Sequence, residues 1–83
     1  MNIEQRLAKI MIEEDVDKQI TLAKNYVKSL RSKAKKLPSL AEKIAMNEQI
    51  KLAEVTLRQI RRLSFDIDDA LRDNKPAISV LAL

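Results

Sequence analysis

The stretch Ser39–Arg72, SLAEKIAMNEQIKLAEVTLRQIRRLSFDIDDALR, decides the fold. Met46, Ile50, Ala53, Leu57, Ile60, Ile67 and Leu71 recur at alternating spacings of four and three, with Ser64 in the one polar slot. A four-three repeat kept up for almost four heptads is the seam of one helix laid along another. Ser39-Leu40-Ala41-Glu42 reads as a capping box at its start: the serine hydroxyl accepts from the third backbone N–H, and the glutamate reaches back. Asp73-Asn74-Lys75-Pro76 reads as its stop.

A partner seam lies immediately upstream. Val16, Ile20, Ala23, Val27, Leu30, Ala34 and Leu37 repeat in the same way and end at Pro38, where the preceding residue resists the helical conformation. Only Pro38 and Ser39 separate the two stripes, so the expectation is an antiparallel hairpin of helices 16–37 and 39–73. Folding about Pro38 sets residue i beside residue 76 minus i. That register brings Glu13, Glu14, Asp15 and Asp17 near Arg58, Arg61 and Arg62, and Glu48 beside Lys28. Residues 2–13 form a shorter helical segment with Ile3, Leu7, Ile10 and Met11 on one side, widened by Ala8 and Ile12. Neither Gly nor Pro interrupts Glu13-Glu14-Asp15, which favours one continuous or kinked helix over a new helix N-capped by Asp15.

Composition agrees with an all-α chain. Of 83 residues none is Gly, Cys or His, two are Pro and two are aromatic, so the core is aliphatic and left-handed turns are scarce. The length corresponds to one helical domain over residues 1–83, with 74–83 an apolar tail expected to dock through Ile78, Val80, Leu81 and Leu83. No apolar run approaches the ~20 residues of a spanning helix, and charges interrupt the N-terminal apolar residues, so the expected setting is cytoplasmic and away from membranes.

The same composition speaks against catalysis. Without His, Cys or Gly, imidazole acid–base chemistry, thiol nucleophiles, zinc sites of the usual kind and phosphate-cradling loops are all removed. The carboxylate pairs Glu13/Asp17, Asp66/Asp69 and Asp69/Asp73 have helical spacing but read as a solvated acidic face. No catalytic, cofactor-binding or metal-binding residue is assigned, and the expectation is a protein that is not an enzyme.

Two surfaces remain. Beside the main stripe lies a second apolar row, Ala41, Ala45, Leu52, Leu63 and Ala70, with Val55 further round. One partner helix cannot cover so wide an arc. Residues 2–13 folding over it would suffice; pairing of two hairpins into a four-helix-type bundle is the favoured cover, because a thin aliphatic hairpin has little core of its own. The candidate interface is Leu52, Val55, Leu63, Ile67, Leu71, Ile78, Val80 and Leu81, for a homodimer and for a protein partner. The other surface is basic. Lys24, Lys28, Arg31, Lys33, Lys35, Lys36 and Lys43 stand against Glu42 alone, a net +6 at one end of a chain whose total is +4. Lys28, Arg31, Lys33, Lys35, Lys36 and Lys43 are therefore candidates for binding an anion or nucleic acid. Lys33, Lys35 and Lys36 also suit the negative end of a helix dipole. The leading expectation is a small regulatory protein that binds another protein through an apolar helix face; the second is a nucleic-acid-binding hairpin.

Overall fold

A computed structural model describes residues 2–82, and within them every regular element is helical. Helix α1 is Ile3–Leu7, α2 is Glu13–Lys35 and α3 is Leu40–Arg72; a 3₁₀ turn follows over Ala77–Ala82. The helices α2 and α3 pack antiparallel along a rod of 50 × 22 × 16 Å.

Local chemistry sets each boundary. Ser39 is extended, and its hydroxyl accepts from the Glu42 N–H at 3.2 Å, starting α3 as the sequence indicates. Glu42 makes no return bond, so only half of the expected capping box forms among the described residues. At the other end Asn74 takes the left-handed conformation (φ 59°), in a chain without Gly to do so. The Asn74 N–H then donates to the Leu71 carbonyl at 3.1 Å and the Lys75 N–H to the Ala70 carbonyl at 2.8 Å. These two bonds make a Schellman stop, and Pro76 prevents resumption.

The N-terminal segment departs from the expected continuity. Asn2 and Gln5 close a reciprocal capping box (2.8 and 2.9 Å), but α1 ends after one turn. The chain then crosses to Ile12 before α2 begins at Glu13. What breaks the helix is a carboxylate. Asp15, in the first turn of α2, accepts from the Met11 and Ile12 N–H groups at 3.0 and 3.3 Å. It reaches back from inside the helix and is not its N-cap; Ile12 holds that place. The consequence is that Met11, expected on the apolar face, and Ala8 and Ile12, expected to widen it, are all exposed.

The hydrogen bond from Met11, followed by that from Ile12, lowers the Asp15 pKa below its ordinary value. A depressed carboxyl pKa adds stability above the unfolded-state value of about 3.9 and loses it as pH falls through the folded value. Acidification below about pH 4 is therefore expected to release amide protection first at Met11 and Ile12. Hydrogen exchange read at those two amides checks this, and Asp15→Asn should remove the pH dependence.

Both seams face inward as their spacing predicts, each position buried or half-buried, but the register is displaced. Glu13 meets Arg72 (3.0 Å) and not residue 63, and Arg31 meets Glu54 and not residue 45. Both partners lie nine positions further along than expected. The cause is the linker. Lys36–Ser39 is non-helical, and extended chain rises about twice as fast per residue as helix. The fold point therefore lies beyond the end of α2, and the first turns of α3 overhang it, leaving Leu40 to Ala45 exposed. None of the expected pairs between Glu13–Asp17 and Arg58–Arg62, or between Glu48 and Lys28, forms an ion pair among the described residues.

Two apolar clusters hold the rod. Towards the hairpin turn, Val27 and Leu30 pack on Ile50 and Ala53. At the other end Leu7, Ile10, Val16, Ile67, Ala70, Ala77 and Val80 form the larger cluster. The tail docks within its own chain through Ala77 and Val80, which a 3₁₀ turn of three residues sets on one side, while Ile78 and Leu81, also expected to dock, are turned outward and exposed. Leu83, expected to dock with it, lies outside the described residues.

Candidate interaction surfaces

Segment α1 lies in the furrow between α2 and α3. Ile3, Leu7 and Ile10 join the lower cluster with Leu63, Ile67 and Ala70 of α3 and Val16 and Ile20 of α2. Arg6 occupies the remaining inward position and is only 4% exposed. It donates to Gln19 Oε1 at 3.2 Å and lies 5.9 Å from the centre of the Tyr26 ring. Among the described residues no carboxylate pairs with it, and its Nε has no hydrogen-bond partner. Burial draws its pKa below the ordinary arginine value, opposed by Tyr26. The Gln19 bond holds Arg6 against α2, and Arg6 in turn lies over the ring of Tyr26 on the same helix, which forms one wall of what lies beyond.

Beyond Asn2 and Ile3 the furrow continues as an open groove of about 430 Å³. Tyr26 forms one side; Gln49, Leu52, Val55 and Thr56 form the other. Leu52 is 70% exposed, and Val55, Ile44 and Leu40 are exposed with it. The Thr56 hydroxyl donates to the Leu52 carbonyl at 3.2 Å, so it is satisfied inside its own helix. A row of large aliphatic side chains left in water beside a half-filled furrow is the strongest surface feature here.

The expected interface residues therefore divide. Leu52 and Val55 line the groove, and Leu63 and Leu71 are half-buried beneath α1 and its neighbours. Ile67 is fully buried and Val80 nearly so; both belong to the protomer's core and cannot present a surface. Their places in the expected interface are corrected: Ile67 is on the main seam, and Val80 is turned inward by the 3₁₀ geometry. Ile78 and Leu81 are exposed, and Ile78 shares a second, smaller apolar patch with Met11 and Leu71 at the far end of the rod. Sequence reasoning did not select Tyr26, Leu40 or Ile44. Tyr26 stands four residues after Leu22, also exposed, on the flank of the α2 seam, which was the available signal.

The basic residues Lys28, Arg31, Lys33, Lys35, Lys36 and Lys43 are all exposed near the hairpin turn. Arg31 is held by Glu54; the other five make no ion pair among the described residues. At the acidic end Arg72 bridges Glu13 (3.0 Å) and Asp69 (3.6 Å). No group of three or more carboxylates is placed to hold a metal ion among the described residues. No helix there is long and apolar enough to cross a membrane. No protein-family model, curated protein or solved structure matches the chain.

Proposed function

We propose that this chain is a non-enzymatic helical interaction protein that acts by burying the open face of α3 against another protein. The observation that carries the reading is Leu52, 70% exposed in a groove whose other wall is the anchored Tyr26. Apolar burial is favourable by about 25 cal/mol per Å², so covering Leu52, Val55, Ile44 and Leu40 gives a partner a continuous gain. Pairing of two hairpins into a four-helix bundle is one form such cover can take. A second reading, nucleic-acid binding, is favoured by the five lysines at the hairpin turn that make no ion pair among the described residues; phosphate binding there would fall steeply with salt.

Photo-crosslinking in the cells that make the protein tests both. A crosslinker at Leu52 is expected to capture a protein, and one at Phe65, about 140° round the same helix, is not. Capture at Leu52 should disappear with Val55→Asp, which alters an exposed position and leaves the fold intact. Capture of nucleic acid from Lys36, with no protein from Leu52, would replace the first reading by the second.

A further inference from the structure

We propose that the open face of α3 is covered by the same face of a second copy of this chain, the two α3 helices running antiparallel about a two-fold axis between Gln49 and Ile50. This names the partner in the interaction reading above and rests on it. The observation is a second stripe. Ala41, Ile44, Glu48, Lys51, Val55 and Arg58 recur at alternating spacings of three and four, and all six are exposed. At about 100° per residue they lie on the side of α3 turned away from Met46, Ile50 and Ala53, which pack on α2. A three-four stripe is the face one helix presents to another, and no element of the chain covers this one.

The stripe complements itself in one arrangement. About that axis Ile44 of each copy meets Val55 of the other, and Glu48 of each meets Lys51 of the other. The aliphatic stem of Arg58 lies over the small Ala41. On the flanks Leu52 meets Ala45, and Glu54, held by Arg31 of its own copy, meets Asn47. Like charges oppose nowhere along this contact. Glu48 and Lys51 make no ion pair within the chain among the described residues, so both are available to the second copy. A parallel pair would instead set Glu48 on Glu48 and Lys51 on Lys51. A slide of one heptad in either direction parts the aliphatic pair, and Ile44 then faces Arg62 or Glu48. The antiparallel arrangement also covers the overhang: residues 41–45, which project past α2, lie along residues 54–58 of the other copy, where its own α2 backs the helix. The shared stretch is about 27 Å long, a small interface, so the dimer is expected to form reversibly at micromolar concentration.

The test uses the full chain, which has no cysteine of its own, so single introduced thiols map the pairing. Ile44→Cys alone and Val55→Cys alone are expected to stay uncrosslinked on mild oxidation, because each stands about 16 Å along the axis from its equivalent. An equimolar mixture of the two should give the disulfide-linked heterodimer. By sedimentation, Glu48→Lys and Lys51→Glu should each raise the dimer dissociation constant about tenfold or more. Mixing these two variants should restore association, since each then meets an opposite charge; a folding defect would not be repaired by mixing. Circular dichroism of each variant should match the unaltered chain. A chain that stays monomeric at about 100 µM, a dimer indifferent to both charge reversals, or Ile44→Cys crosslinking to itself overturns the proposal. Capture of a different protein at Leu52 in cells, by a chain that is monomeric alone, would leave the interaction reading standing and remove this one. A monomer with no capture at Leu52 would remove both.

Discussion

Ile67→Ala is expected to lower the stability of this protein by about 2–5 kcal/mol. Ile67 is 0% exposed and belongs to the larger cluster, where α1, α2, α3 and the C-terminal turn meet. Deleting three of its carbons removes their transfer energy and leaves a cavity that rigid neighbours only partly fill. A domain of this length holds about 0.05–0.15 kcal/mol per residue, or about 4–12 kcal/mol in all. The loss is thus a large share of the total. At about 4–8 °C per kcal/mol, thermal unfolding followed by circular dichroism should move down by about 10 °C or more. Ile67→Asp, which buries an unpaired charge, is expected to leave no folded state at room temperature. The control stands two residues away. Phe65 is the only phenylalanine and is 81% exposed, so Phe65→Ala should change stability by no more than about 0.5 kcal/mol. Comparable losses at both positions would mean that the inward face of α3 has been assigned to the wrong side.

That contrast shows what was legible in the sequence. Hydropathy alone ranks Phe65 with the core; the four-three spacing does not, because Phe65 falls between seam positions Ser64 and Ile67. Period is a stronger guide than the single side chain because it reports geometry: every second-turn neighbour must share a face. Both seams, the serine that starts α3 and the stop after Arg72 were readable on this basis. So was the open face at Leu52 and Val55, since a surplus of apolar arc is also a matter of period.

The register was not readable, and the reason is physical. Pro38 marks where the helix must end, but the displacement of the fold point depends on how far the four residues Lys36–Ser39 extend. Charge matching did not rescue it. Acids at one end and arginines along α3 can be paired in several registers, and each exposed pair contributes only about 0–1 kcal/mol. The break after α1 was hidden for a similar reason. Breakers were sought among Gly and Pro, whereas the work is done by Asp15 accepting two backbone N–H groups from outside its helix. The buried polar residues Arg6, Gln19 and Thr56 were missed because pattern reading assigns polar side chains outward. Arg6 nevertheless stands at i+3 from Ile3 and i−4 from Ile10, an inward slot by spacing. Recognising it would have pointed to Tyr26 and so to the groove.

Val80→Asp is expected to undo one end of the rod and leave the other folded. Val80 is 4% exposed, and with Ala77 it closes the lower cluster over Leu7, Ile10, Ile67 and Ala70. Burial of a valine is favourable by about 1.5–3 kcal/mol, and an aspartate cannot take its place without its charge leaving water. The 3₁₀ turn should therefore detach. Because α1 is a single turn that rests partly on this segment, it should lose its seat as well. Hydrogen exchange is expected to show lost protection in residues 3–10 and 67–72. It should show retained protection around Val27, Leu30, Ile50 and Ala53, which form a separate cluster. Truncation after Lys75 should reproduce the same pattern, since either change removes the same cover. If Val80→Asp instead lowers protection evenly along α2 and α3, the two clusters are one cooperative unit and the division into two ends fails. If it changes nothing, the C-terminal turn does not contribute to the core. The local outcome would also lengthen the furrow, because departure of α1 opens the lower half that Leu7 and Ile10 now fill.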